Sequence, residues 1–260
     1  MLPFLRVGPL LVQLPGLALL AGIWIGTTFV EKEALRLRLH ASAVLNMIMY
    51  ALIGGLVGAR LLYALEHLSA YLAAPLSLLA LSATALDASG GMLIGATAAF
   101  LYGRAKWLPL RATLDALAPG LATFMIALGV ANILSGNGYG SPLEAPWAIY
   151  LWGEYRQPTQ VYETLLAVGV LLAWKFMPAG SLSPGNRFWQ VVSLSAAARL
   201  FTEAFHADSV ITPGGFRLAQ VVALLLLAAA LYMSRRWSTA AGEGRRRTPV
   251  PAAQRRQGRR

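Results

Sequence analysis

The stretch Gly215–Ser234 reads GFRLAQVVALLLLAAALYMS, and the run Arg235–Arg260 behind it carries nine arginines against the single Glu243. A bilayer core needs about 20 mostly apolar residues per helix, and this stretch supplies them. Short basic segments stay on the cytoplasmic side, so the arginines also set a direction. Upstream lie six further candidate spans: Gly8–Val30, Ser42–Leu65, Gly90–Tyr102, Thr113–Leu134, Gln160–Met177 and Phe188–Phe205. The third is short. Apolar Ala70–Ala85, which contains Pro75, reads as an interfacial helix before the third span or as part of it. The expected fold is an all-α polytopic membrane protein with about seven transmembrane helices, its membrane domain covering residues 1–234.

Composition agrees. Only 13% of the 260 residues are charged and 57% are hydrophobic, whereas a soluble domain carries about 25% charged residues. The net charge is +11. Nine arginines less one glutamate put +8 of it in residues 235–260, which leaves +3 for the rest. That tail, with Gly, Pro, Ala and Gln between its arginines, reads as disordered, cytoplasmic and attracted to anionic lipid rather than to nucleic acid. Cysteine is absent, which excludes disulfides, thiolate metal sites and a Cys nucleophile. Three histidines, His40, His67 and His206, make a histidine-rich metal site unexpected, so neither metal nor cofactor is anticipated. The apolar N-terminus lacks a small-residue cleavage site and reads as a first span rather than a signal peptide. No long internal repeat is visible, which counts against a transporter built from inverted repeats.

Loop charges give one orientation throughout. Lys32, Arg36 and Arg38, then Arg104, Lys106 and Arg111, then Lys175 and Arg187 fall on the side of the arginine-rich tail. The N-terminus is then outside. Only the loop at residues 135–159 is long enough for structure of its own. Gly136, Gly138, Gly140, Pro142, Pro146 and Pro158 punctuate it, and Trp147, Tyr150, Trp152 and Tyr155 suit a membrane interface. It reads as a small extracytoplasmic head, or more simply as an aromatic belt with tight turns.

An ionisable side chain inside a span costs about 2.5–3.5 kcal/mol on insertion scales, so it normally faces a cavity or a partner. With the orientation fixed, Arg60 and Tyr63 end span two, Asn132 ends span four, and Gln160, Tyr162 and Glu163 open span five, all in the outer half. In span six, Arg199 and Glu203 share a face at i, i+4, and His206 lies one turn beyond. These groups form either structural ion pairs and helix-end anchors or a polar cavity for an anionic head group, which the guanidinium fork of arginine matches. Asp115, at the inner start of span four, favours a helix N-terminus and reads as structural.

Four segments resemble the bacterial prolipoprotein diacylglyceryl transferase family. Gly58–Tyr63, GARLLY, is similar to its G-x-R-x-x-Y. Asp115–Ser141, DALAPGLATFMIALGVANILSGNGYGS, resembles D-x-x-A-P…G-R-x-G-N-x-x-N-G-E-x-x-G-R without a gap. Arg156–Glu163, RQPTQVYE, is similar to R-x-P-S-Q-x-Y-E, which is fairly specific in this position. Arg199–Glu203 resembles the late-span R-x-x-x-E, and Gln220 suits the Gln of the last span. The resemblance covers residues from about 10 to 234 in matching order. It also departs from the pattern. The family Arg falls on Gly129, its second Asn on Ser135 and its Glu on Asn137. Its H-G-G reads Ser89-Gly90-Gly91, and its early Tyr-Gly reads Pro15-Gly16.

The resemblance implies transfer of a diacylglyceryl group from phosphatidylglycerol to the lipobox cysteine of prolipoproteins, in the bacterial inner membrane. Its partners would be phosphatidylglycerol, prolipoprotein signal peptides and membrane lipids. It implies catalytic roles for Arg199, Glu203 and His206, and substrate contacts by Arg60, Tyr63, Asn132, Asn137, Gln160, Tyr162 and Glu163. Glu203, with a pKa raised by burial, or His206 would supply the base that the missing family His leaves open. The alternative is a non-catalytic phospholipid-binding membrane protein of the same fold.

Overall fold

A computed structural model describes residues 4–7, 10–73, 86–178, 182–212 and 214–247. In chain order the elements are β1 (Phe4–Val7), β2 (Leu10–Gln13), α1 (Leu14–Arg36), α2 (Ala41–Glu66), α3 (Leu68–Ala73), α4 (Ala88–Ala105) and α5 (Leu110–Ser135). Then follow β3 (Ile149–Leu151), β4 (Glu154–Arg156), α6 (Thr159–Phe176), α7 (Asn186–Thr202), a 3₁₀ turn (Glu203–Phe205) and α8 (Leu218–Arg247). The chain divides into two compact units. One comprises residues 1–29 and 114–260, the other residues 30–113.

The protein is an all-α membrane protein. Four helices, Leu14–Arg36, Ala41–Glu66, Leu110–Ser135 and Leu218–Thr239, are long and apolar enough to cross a bilayer. Large apolar side chains on these and other helices point outward: Leu20, Trp24, Met92, Leu93, Leu224 and Leu225 are each more than half exposed. A water-soluble bundle would bury such faces, whereas lipid-facing helices retain them and seal their backbone bonds internally.

Several expected limits shift. Helix α1 begins at Leu14 rather than Gly8, because β1 and β2 pair as an antiparallel hairpin before it. The sequence between those strands is Gly8-Pro9, a turn signal inside an apolar run. The short third candidate lengthens to Ala88–Ala105, and the sixth leaves α geometry at Thr202. Helix α8 runs through Arg247, so the tail expected to be disordered from residue 235 starts as helix. Ala, Glu and Arg are good helix formers, and the preceding apolar turns supply the nucleus. Residues 248–260 of that tail, and 74–85 of the Ala70–Ala85 segment, lie outside the described residues.

In the second unit α2 and α4 pack through small residues. A Cβ at Gly91 would stand 2.9 Å from the Gly55 carbonyl oxygen, and one at Gly95 would stand 2.7 Å from that of Ala51. Backbones this close gain dispersion contacts where no hydrophobic drive separates helix from lipid. Asp87 caps α4, its carboxylate accepting from the Ser89 hydroxyl at 2.7 Å and the Gly90 amide at 2.9 Å. Those donors hold its carboxyl below the ordinary value.

In the first unit Ala118, Ala122, Val170 and Val191 form the core, with Leu121, Leu171, Trp174 and Phe188 against it. Asp115 is buried and accepts from the backbone amides of Gly185 at 2.6 Å and Phe188 at 3.0 Å. It therefore caps the neighbouring α7, which confirms a structural role but on another helix than its own.

Candidate active site

The last turn of α5, the start of the second turn of α6 and the last turn of α7 carry Asn132, Glu163 and Arg199, and the segment 135–159 joins α5 to α6. That segment is ordered. Strands β3 and β4 pair in register Leu151↔Glu154, so Trp152 and Gly153, both at positive φ, make a two-residue turn. Arg156 braces it, donating to the carbonyls of Leu151 at 3.2 Å and Gly140 at 3.4 Å while pairing with Glu154 at 2.8 Å. Residues 139–141 then pair with the chain after α7: Ser141 N donates to Phe205 O at 2.8 Å, and Ala207 N donates to Tyr139 O at 3.0 Å. Gly140 faces His206 across this short antiparallel bridge.

The bridge fixes a compact charge cluster. Arg199 Nη1 donates to Glu163 Oε1, and its Nη2 lies 2.8 Å from Glu203 Oε2. Glu203 is fully buried, and its other oxygen accepts from Ser209 Oγ at 2.5 Å. His206 is only 2% exposed. Its Nε2 lies 3.0 Å from Glu163 Oε1 and 3.3 Å from Arg199 Nη1, and its Nδ1 lies 3.1 Å from Asp208 Oδ1. Arg217 reaches in from the start of α8, donating to the carbonyls of Glu203 and, at 3.0 Å, His206. Burial opposes a charge on His206, but the hydrogen bonds to Glu163 and Asp208 outweigh it and raise the pKa above the ordinary value. A carboxylate at each ring nitrogen favours the imidazolium, since only that form donates from both.

Two cavities open on this cluster. One, about 340 Å³, runs between α5, α6 and α7, with Met125, Leu128, Ala167, Val170 and Ala198 on its walls and Asn132, Glu163 and Arg199 among its polar groups. The other, about 390 Å³, lies toward α8 and is lined by Gly138, Glu203, His206, Asp208, Ser209 and Leu218, among others. Asn132 and Arg199 line both. Arginine carries five donors. With 39% of the side chain exposed, Arg199 is accessible to a bound anion.

Of the residues expected from the sequence, Asn132, Glu163, Arg199, Glu203 and His206 come together here. Gln160 is 1% exposed, with neither amide atom hydrogen-bonded among the described residues. Tyr162 packs edge-on against Phe205, centroids 6.2 Å apart. Asn137 is exposed, its backbone N–H donating to Ser135 Oγ at 3.3 Å. Arg60 and Tyr63 belong to α2 in the second unit, where Arg60 lies 5.8 Å from the Tyr71 ring centroid and Tyr63 stacks on His67. Sequence reasoning missed Asp208 and Arg217. The only signal was an acid two residues from His206 and an arginine at the mouth of a span. Gly129, standing where the resembled motif has Arg, lines the first cavity. A Cβ there would lie 2.2 Å from Thr164 Oγ1 and 3.1 Å from Thr164 Cα, so α5 and α6 meet too closely for a side chain.

Residues 3–235 match the family model described as prolipoprotein diacylglyceryl transferase. A phosphatidylglycerol–prolipoprotein diacylglyceryl transferase of Synechococcus elongatus is 25% identical over 239 residues, covering 86% of this chain and 82% of the relative. Relatives of the same name in Clostridioides difficile and Gloeobacter violaceus are 25% and 27% identical, covering 81% and 85% of this chain and 84% and 89% of themselves.

Proposed function

The chain belongs to the prolipoprotein diacylglyceryl transferase family, and we propose that it transfers the diacylglyceryl group of phosphatidylglycerol to the lipobox cysteine of prolipoproteins. The observation that carries this reading is Arg199, which lines two cavities with its side chain part-exposed and its position held by Glu163 and Glu203. Two substrates must meet at one phosphate, and a guanidinium reached from both sides suits that task.

The sulfur of the lipobox cysteine attacks the terminal glyceryl carbon. The carbon–oxygen bond to phosphate breaks, its electron pair stays on the phosphate oxygen, and glycerol phosphate leaves as a thioether forms. Arg199 stabilises the charge that grows on phosphate in a low-dielectric site. His206 gives its Nε2 proton to the leaving phosphate and regains one from the thiol, so the net proton moves from sulfur to phosphate. Glu203 orients Arg199, and Glu163 stabilises the imidazolium between turnovers. Asn132, Asn137, Gln160 and Tyr162 contact glycerol hydroxyls; the side-chain amide of buried Gln160, without a hydrogen-bond partner among the described residues, supports its part in this. Arg60 and Tyr63 take substrate-binding roles on motif resemblance alone.

The accompanying topology is seven spans, with the N-terminus outside, the 135–159 head on the outer face and the basic C-terminus in the cytoplasm of the inner membrane. The loop charges support it. The substitution of the motif's Arg by Gly129 and of its His by Ser89 favours a second reading, phospholipid binding without transfer. One assay separates the two: purified protein, phosphatidylglycerol vesicles and a cysteine-containing lipobox peptide. A thioether-linked lipopeptide supports transfer; vesicle binding with no product over a wide range of protein concentration supports the second reading.

A further inference from the structure

Asp208 lies outside every motif that carries the family resemblance, yet both its oxygens are engaged at the site. Oδ2 accepts the backbone N–H of Gly138 at 3.1 Å, which fastens the loop after α7 to the 135–159 segment. Oδ1 lies 3.1 Å from His206 Nδ1. The ring it holds is buried, and the ring's backbone is held by the bridge to Gly140 and by Arg217, which donates to its carbonyl. The charged groups facing His206 are therefore Glu163 of α6, Arg199 of α7, Asp208 of its own loop, Arg217 before α8 and, on the same cavity wall, Glu203.

We infer that Asp208 is a positioning residue. It fixes the rotation of the His206 ring and keeps a proton on Nδ1, so that exchange with substrate occurs only at Nε2, the nitrogen turned toward Glu163 and Arg199. This rests on the reading of His206 as the proton carrier. The physical argument has two parts. A neutral imidazole carries its proton on either nitrogen; Nδ1 faces the Asp208 carboxylate, whereas Nε2 faces both the Glu163 carboxylate and the Arg199 guanidinium, which donates to a basic Nε2, so the pairing selects the tautomer protonated at Nδ1. The Asp208 carboxylate also offsets the cost of an imidazolium in a nearly dry site, and so sets the pH at which the ring gives up its proton. Asp208 lines the second cavity, but its oxygens are engaged by His206 Nδ1 and the Gly138 amide, and its effect on the reaction is exerted through His206. Its tie to Gly138 has a second effect: the orientation of the ring depends on the ordered 135–159 segment, not on the helices alone.

The test compares the full-length protein with Asp208→Asn, Asp208→Glu and His206→Gln in phosphatidylglycerol vesicles with a lipobox peptide. Lipidation is measured as kcat across pH 5 to 9, and the His206 ring nitrogens are followed by ¹⁵N NMR. Removing an opposite charge at this distance lowers a pKa by about 1–3 units. Asp208→Asn should therefore move the alkaline limb of kcat, and the NMR titration of His206, to lower pH by about one unit or more. Asp208→Glu should restore much of the position of both. Adding His206→Gln to Asp208→Asn should cost no more than His206→Gln alone. An Asp208→Asn protein whose His206 signal titrates as in the unmodified protein overturns the inference, whatever the rate. If that signal moves while His206→Gln lipidates at full rate, the placement of the ring stands and the proton-carrier reading fails instead. The NMR readout also covers the case in which no lipopeptide forms.

Discussion

Replacing Arg199 by alanine removes the one cation among the described residues that lines both cavities. Oxyanion sites that lose a single preorganised donor lose about 10²–10³ in rate, or about 2.7–4 kcal/mol. Arg199→Ala should lower kcat at least that far, because the guanidinium brings several donors to one phosphate. The structure also sets the confounding cost. Glu203 is fully buried and pairs with Arg199 at 2.8 Å; breaking a fully buried pair by removing one partner destabilises by about 3–5 kcal/mol, and the partial exposure of Arg199 places this pair below that range. Ser209 retains one oxygen of Glu203 at 2.5 Å, which softens this. The double variant Arg199→Ala/Glu203→Gln removes the orphaned charge and should recover stability without recovering turnover. Arg199→Lys should restore the charge but not the fork, and therefore only part of the rate. The assay is single-turnover formation of lipopeptide in phosphatidylglycerol vesicles, with thermal unfolding in detergent as the control. A well-folded Arg199→Ala protein with undiminished lipidation would refute the mechanism.

Asp115→Ala should cost about 1–3 kcal/mol of stability by leaving the buried Gly185 amide and the half-buried Phe188 amide without this partner, while kcat of the folded fraction is unchanged; unfolding midpoints and single-turnover rates check this. Gly95→Val should destabilise by about 1–3 kcal/mol, because its Cβ would stand 2.7 Å from the Ala51 carbonyl. Gly103→Ala, whose Cβ meets only the flexible end of Met47 at 3.4 Å, should unfold near the parent temperature. His206 has a folded pKa above its unfolded value. Its contribution is therefore fully present below about pH 6.5 and is lost as pH rises through the folded pKa. The stability gap between the parent and His206→Gln should narrow on going from pH 6 to pH 9, as read by thermal unfolding at each pH.

Apolar run length is a local quantity, and it located the helices and their approximate limits from the sequence alone. Spacing along single helices brought Arg199 and Glu203 to one face, and motif order singled out Glu163 and Asn132 before any distance was known. The ends of α1 and α8 were misjudged because hydropathy does not separate a strand pair from a helix, or a polar helical turn from a coil. What only the tertiary structure decided is the wiring of the site. Glu163 and Arg199 are 36 positions apart and Gly138 and Asp208 are 70 apart; the first pair meets where α6 packs on α7, the second where residues 139–141 bridge to residues 205–207. A hydrogen bond between distant segments leaves no periodic trace in the chain. For that reason Asp208 and Arg217 could not be told from ordinary loop charges, and Asp115 could not be seen to cap a helix other than its own.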